Sequence, residues 1–442
     1  MEIQNIIRSL QFLGEVTGRR LQQHFNKEAS AFTYPELKIE PDNSPLNQFL
    51  IRYQLNIEEY IILLLGLMPH IQSNFLDAII QQYLPNGGDF PEMGGVKGNN
   101  YRGMLPTGET ALFIIGGNDI AKRIQAAQYF SPDHFFAKQD ILRLEQLTNA
   151  EPHMSGKIIL QQDYVDLFTV GTITKPVFGP DFPAKYISTK MDWTDLILNQ
   201  KTSLQIHDIK TWLDHNPSFM KDWDMEKKIK PGYRALFYGP PGTGKTLTTA
   251  LLGKQFQRDV YRIDLSQVVS KYIGETEKNL EKVFNKAEHK DWILFFDEAD
   301  ALFGKRSNVQ SAHDKYANQE VSYLLQRVED FPGLVILASN FKTNIDQAFI
   351  RRFNAIIHFP VPNGAERYQI WKTTVPAKAS LAADVDLRLI ADKYELSGSA
   401  ILSVIHYVSL QTISRNSFTI LKKDLIEGIK REYEKEEKVF VG

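Results

Sequence analysis

Eight consecutive residues, Gly239, Pro240, Pro241, Gly242, Thr243, Gly244, Lys245 and Thr246, have the types and spacing of a phosphate-wrapping loop, GxxxxGK[ST]. Glycines let backbone N–H groups close around phosphate oxygens, and a helix opening at about Leu247 presents the positive end of its dipole to them. In that chemistry Lys245 reaches the β- and γ-phosphates of ATP, and the Thr246 hydroxyl holds Mg2+. The run before the loop, Ala235–Tyr238, reads as a strand, which is the context the loop requires. Average residue usage gives an accidental match in about 1–2% of chains of this length. Ser155-Gly156-Lys157 lacks the preceding glycine and loop and reads as an ordinary turn.

A second element, Ile293-Leu294-Phe295-Phe296-Asp297-Glu298, is an apolar strand ending in two carboxylates. Open α/β sheets bind ligands at that edge. Adjacent residues at a strand end point in different directions, so Asp297 suits the Mg2+ shell while Glu298 faces the attacking water as base or orienter. Alone the pattern is weak; about 50 residues after a phosphate loop it is strong. The strand LVILAS ends at Asn340, an amide able to position water or sense the γ-phosphate, although asparagine after a strand is also a common turn residue. Ile350-Arg351-Arg352-Phe353 carries two arginines, which form either a solvated basic pair or a pair reaching a neighbouring subunit's nucleotide.

These residues need a scaffold. After Met191 apolar strands alternate with amphipathic helices, which predicts a parallel sheet covered by helices. Five strands are expected, at Ala235–Tyr238, Val260–Ile263, Trp292–Phe296, Val335–Ser339 and Ala355–Phe359, with a helix over Glu277–Glu288. From about Glu366 only helical patterns remain. Residues 1 to about 84 have helical spacing, followed by a glycine-rich stretch, Gly87–Gly108, read as a long connection in preference to a hairpin wing. Beyond it, Lys157–Leu160 and Leu167–Thr174 read as strand-like and Gln139–Leu147 as a helix. The expected units are an α-rich, partner-binding 1–190, in which a winged-helix-like arrangement is one option, a nucleotide-binding 191–362 and a helical 363–442.

The bulk numbers narrow the function further. At 442 residues two or three domains are expected, and 43% hydrophobic with 24% charged residues is ordinary for a globular protein. The net charge is −2, with 16 basic against 20 acidic residues through Lys190 and 35 against 33 after it, which argues against a dedicated nucleic-acid binder. No cysteine is present, so disulfides, thiolate metal sites and a cysteine nucleophile are excluded. The longest purely apolar run, Tyr60–Met68, is too short to span a bilayer and reads as a buried helix. The N-terminus shows no secretory pattern, so a cytoplasmic location without membrane attachment is the default expectation.

With these elements in one order, residues 191–430 resemble the AAA family of ring ATPases, through GPPGTGKT, ILFFDEADALFG, LASN, AFIRRF and the segment Ser270–Glu275. The resemblance implies an α/β P-loop NTPase core with a five-stranded parallel sheet and a C-terminal helical lid. It also implies a homohexamer with Mg2+-dependent ATP hydrolysis at subunit junctions. On that basis Arg351 and Arg352 become fingers acting in trans, and Asp195, Leu196 and Ile197 fall where the family makes its adenine pocket. Lys271, Tyr272, Ile273 and Gly274 match a pore loop in which the aromatic grips a polypeptide client. The lid turn Leu396–Ala400 carries no arginine, so none is assigned there. More narrowly, KPGYRALFYGPPGTGKT, AHDKYANQEVSYLLQRVED and the N-terminal layout look like AAA proteins encoded with bacterial extracellular contractile injection systems. The implied function is a remodelling or translocating ring. A nucleotide-switched scaffold and a nucleic-acid motor are the rivals, and the client's identity is not legible.

Overall fold

The computed structural model describes residues 3–26, 32–37, 42–86, 90–147, 150–180, 182–265, 275–288, 290–299, 312–340 and 350–440, without side chains over 312–320. They fall into two compact units, Met1–Lys175 and Pro176–Gly442. The division precedes the expected one at 190 because Lys185–Ile187 is a strand of the second unit's sheet.

The first unit is built around the helix Ile57–Leu67, buried from Tyr60 onward. Asn56 caps it by accepting from the Glu58 and Glu59 N–H groups, while the Glu59 carboxylate returns to the Asn56 N–H. This is the apolar run that the sequence marks as a buried helix. Helix Ile3–Asn26 lays Phe12, Leu13, Val16 and Leu21 into the same core. A short antiparallel pair, β1 (Val96–Lys97) with β2 (Met104–Leu105), forms inside the glycine-rich stretch read as a plain connection. Two further readings are corrected. The helix expected over Gln139–Leu147 is instead β3 (Leu142–Leu144), antiparallel to β4 (Ile158–Leu160), with Leu142 and Leu144 inward and Arg143 outward. The strand-like run Leu167–Thr174 is the end of helix Gln162–Val170, which turns Val165 and Phe168 inward and stops at Gly171. Runs this short carry too few periods to separate helix from strand; their packing decides.

The second unit holds a six-stranded sheet, β5 (Lys185–Ile187), β6 (Tyr233–Tyr238), β7 (Val260–Asp264), β8 (Ile293–Asp297), β9 (Leu334–Ser339) and β10 (Ala355–His358), in the order β10-β6-β9-β8-β7-β5. The five expected strands are the parallel ones; β5, only three residues long, adds an antiparallel edge beyond them. Side chains alternate between two apolar layers. Leu236, Phe296 and Leu337 face the helix Glu275–Ala287 and the helix ending at Asp330, whereas Phe237, Phe295 and Ile336 face the helices Gln200–Lys221 and Lys245–Phe256.

Four helices, Gly364–Thr374, Leu387–Lys393, Gly398–Ser414 and Lys422–Lys435, follow the sheet and enclose Trp371, Ile401, Val404, Val408 and Leu425. They are not alone there: β11 (Ser380–Leu381) and β12 (Thr419–Ile420) form a short parallel pair in the region expected to be purely helical.

Candidate functional site

Three of the expected elements meet at the C-terminal edge of the sheet because of strand order. The phosphate loop follows β6, Asn340 follows β9 and Glu298 follows β8, and these strands are consecutive neighbours with Tyr238 paired to Ser339 and Phe296 to Leu337. That edge, where the chain direction across the sheet reverses, is where such sheets bind ligands.

Within the loop, Gly242 and Gly244 have φ of +73° and +101°, a region that side-chain-bearing residues rarely adopt. A Cβ on Gly242 would fall 1.9 Å from Ser399 Oγ, and one on Gly244 would fall 2.9 Å from Leu196 Cδ1. The loop is therefore a cradle that only glycine backbone can line. Thr243 closes it by donating to the Pro240 carbonyl at 2.8 Å. Pro240 is half-buried and Pro241 exposed. Lys245, 9% exposed, opens the twelve-residue helix and donates its ammonium to the Gly239 and Pro240 carbonyls at 2.6 and 3.0 Å. Thr246 is exposed and Leu247 half-buried on the same first turn.

Asp297 ends β8 on the face that carries Phe295, which is also the face covered by the phosphate-loop helix. Its Oδ2 lies 3.1 Å from Arg262 Nε, on the adjacent strand β7. One arginine in a strand carries no pattern, so nothing in the sequence marks Arg262. The approach is charge contact only: the Nε–H is not aligned to donate. Glu298 is exposed, adopts a left-handed backbone with φ +53°, and donates its N–H to Asp297 Oδ1 at 3.0 Å. Non-glycine residues in that region cluster at functional sites.

The four C-terminal helices, where the sequence leads one to expect a lid, also reach this edge. Ser397 caps the helix Gly398–Ser414, and the Ser399 N–H donates to the Gly242 carbonyl at 3.2 Å. The helix start thus sits against the phosphate loop in the turn where the sequence has no arginine.

Of the residues expected at an adenine pocket, Leu196 and Ile197 line a cavity of about 320 Å³ with Trp193, Ser203, His207 and Lys210. Asp195 does not line it; its carboxylate accepts the Asp192 N–H at 2.8 Å and stands exposed. Lys210 Nζ lies 3.4 Å from the Trp193 ring centre, and burial lowers its pKa. The Trp193 indole N–H is buried and unpartnered among the described residues.

Arg351 and Arg352 are exposed and stand apart from all of this. They precede β10, which is parallel to β6 with Ala355 opposite Ala235, so they lie at the N-terminal edge. The six residues of β6 separate that edge from the phosphate loop by on the order of 15–20 Å. The pore-loop residues Lys271, Tyr272, Ile273 and Gly274 lie outside the described residues.

The donor set fits a magnesium nucleotide: a glycine cradle and a buried ammonium for phosphate, with the Thr246 hydroxyl and Asp297 carboxylate as hard oxygen ligands.

Comparison with known proteins agrees with this geometry. The sequence profile described as "ATPase family associated with various cellular activities (AAA)" matches residues 235–361. The chain is 32% identical over 215 residues to a 26S proteasome regulatory subunit 6B homolog of Dictyostelium discoideum, covering 47% of this chain and 53% of that protein. It is 34% identical over 214 residues to the proteasome-activating nucleotidase of Aeropyrum pernix, covering 47% and 52%. It thus spans about half the length of the curated relatives it matches. AAA domains take ATP with Mg2+. From β6 through the strand that follows the arginine pair, residues 235–361 are an AAA domain of the P-loop NTPase fold.

Proposed function

We propose that the protein hydrolyses ATP with Mg2+ as a ring of identical subunits and uses it to remodel or translocate a protein client that the first unit selects, in the cytoplasm. The observation that carries this reading is the division of the chemistry between two sheet edges. Lys245, Asp297, Glu298 and Asn340 converge at one edge, and the arginine pair stands at the other, too far to serve the same nucleotide. A second copy has to supply the arginines, which calls for a closed arrangement of subunits.

In this reading Lys245 and the loop N–H groups bind and orient the phosphates, Thr246 and Asp297 hold the metal, Glu298 takes the proton of the attacking water, and Asn340 fixes that water's position. Bound Mg2+ supplies neutralisation of the charge developing on the phosphate oxygens. Leu196 and Ile197 receive the base. Tyr272 grips the client. The finer assignment, to assembly or loading of a contractile injection particle, rests on sequence likeness in KPGYRALFYGPPGTGKT and AHDKYANQEVSYLLQRVED.

Phosphate release by the full chain, with casein as a loosely folded client probe and particle mass measured in parallel, tests the reading. Mg2+-dependent release from a hexamer is expected; release without assembly would overturn the ring. Tyr272→Ala should keep hydrolysis and lose client processing. Processing that survives would favour a nucleotide-timed scaffold.

A further inference from the structure

The arginine turn is not a free loop. Asn354 Oδ1 accepts the backbone N–H of Arg234 at 2.9 Å and its side-chain Nε–H at 3.1 Å, while the Asn354 N–H donates to the Arg234 carbonyl at 2.8 Å. Arg234 is 8% exposed and also donates Nη1 to the Glu329 carbonyl at 3.0 Å, at the end of the helix that closes with Asp330. Burial lowers its pKa, a sign of how much water the guanidinium has lost. A buried guanidinium needs such partners, and losing one leaves a desolvated donor. The Glu329 side chain meanwhile lies 2.9 Å from Arg352 Nη1. Arg351 has no ion-pair partner among the described residues.

We propose that Arg234 and Asn354 are positioning residues that fix the turn so that Arg351, rather than Arg352, is delivered to the nucleotide of an adjoining copy. The inference rests on the trans reading of the arginines given above. Glu329 keeps Arg352 within its own subunit, and the paired backbone of Asn354 and Arg234 sets where the turn leaves the sheet. Arg234 is the second residue of the strand whose other end carries the phosphate loop, so one strand joins the site a subunit owns to the arginine it lends. An arginine finger acts by position, and a misplacement of about 1 Å costs on the order of 10²-fold in rate. The clamp is therefore part of the finger's function although it touches no nucleotide.

Mixed rings test this without involving the lender's own site. The acceptor chain is Arg351→Ala, which has an intact phosphate loop, and the lender is Lys245→Ala, which hydrolyses nothing but offers its arginines. Mixing should restore phosphate release. The lender is then given Asn354→Leu, which removes the acceptor oxygen, or Asn354→Asp, which retains it. The Leu lender should restore about tenfold less or worse, and the Asp lender should restore within about threefold of the parent lender. Native mass of the mixed rings and the melting temperature of each lender establish incorporation. If the Leu lender fails to fold, Asn354→Ser, too short to reach Arg234, takes its place with the same expectation. Full restoration by a folded Leu or Ser lender would overturn the positioning role, as would failure of the folded Asp lender. If the Lys245→Ala lender itself restores nothing, the trans reading fails and the clamp with it. An Arg352→Ala acceptor more impaired than the Arg351→Ala acceptor would overturn the choice of Arg351.

Discussion

Glu298 hands its backbone N–H to the Asp297 carboxylate at 3.0 Å from a left-handed conformation, φ +53°. The bond and the turn together set two adjacent acids apart: Asp297 stays on the phosphate-loop face and Glu298 stands exposed. Glu298→Gln preserves shape and removes the base, so ATP binding should persist while turnover falls by roughly 10²–10⁴-fold. Lys245→Ala should instead lose binding. Nucleotide titration beside phosphate release distinguishes them, and parent turnover in the Gln variant would remove Glu298 from the mechanism.

The position of Arg351 and Arg352 at the edge opposite the phosphate loop predicts a defect that a mixture can repair. Removal of the finger arginine should lower turnover by up to about 10³–10⁵-fold, with ATP affinity little changed. Adding Lys245→Ala chains should recover part of it. Steady-state phosphate release against mixing ratio reads this out, and a flat response in rings of verified composition would count against action across a junction.

Gly242→Ala tests the contact between lid and loop. The new Cβ would collide with Ser399 Oγ and force side-chain geometry onto φ +73°. Left-handed strain of this kind costs about 1–3 kcal/mol. The variant should melt lower and bind nucleotide more weakly, with the lid displaced from the loop. Calorimetry of the full chain with and without ADP checks both; unchanged melting would show that neither the Ser399 contact nor the left-handed φ opposes a side chain there.

Trp371 is the largest fully buried side chain of the lid, packed among Ile401, Val404 and Leu425. Trp371→Ala should destabilise that region by about 3–5 kcal/mol, as large-to-small changes in cores do. Hydrogen exchange in the helices Gly398–Ser414 and Lys422–Lys435 should rise in step. The loss should reach the phosphate loop, because the Ser399 to Gly242 bond depends on that helix start.

The sequence by itself determined which residue types stand at the strand ends: a glycine-rich loop with Lys245, an acid pair and an amide, each after an apolar strand, because these depend on residue type and on spacing along one chain. It also placed the five parallel strands, whose four- to six-residue apolar runs alternate with long amphipathic helices. Tertiary structure decided what meets what. Strand order, set by packing across the sheet, brought Asn340 between Gly239 and Glu298 and sent the arginine pair to the far edge. Arg262 against Asp297, Ser399 against Gly242 and Asn354 against Arg234 join residues 35, 157 and 120 positions apart, and no local period reports such pairs. The same limit explains the exchanged helix and strand near Leu142 and Leu167. There the runs are short, intrinsic preference is small, and burial against Ile57–Leu67 and its neighbours outweighs it.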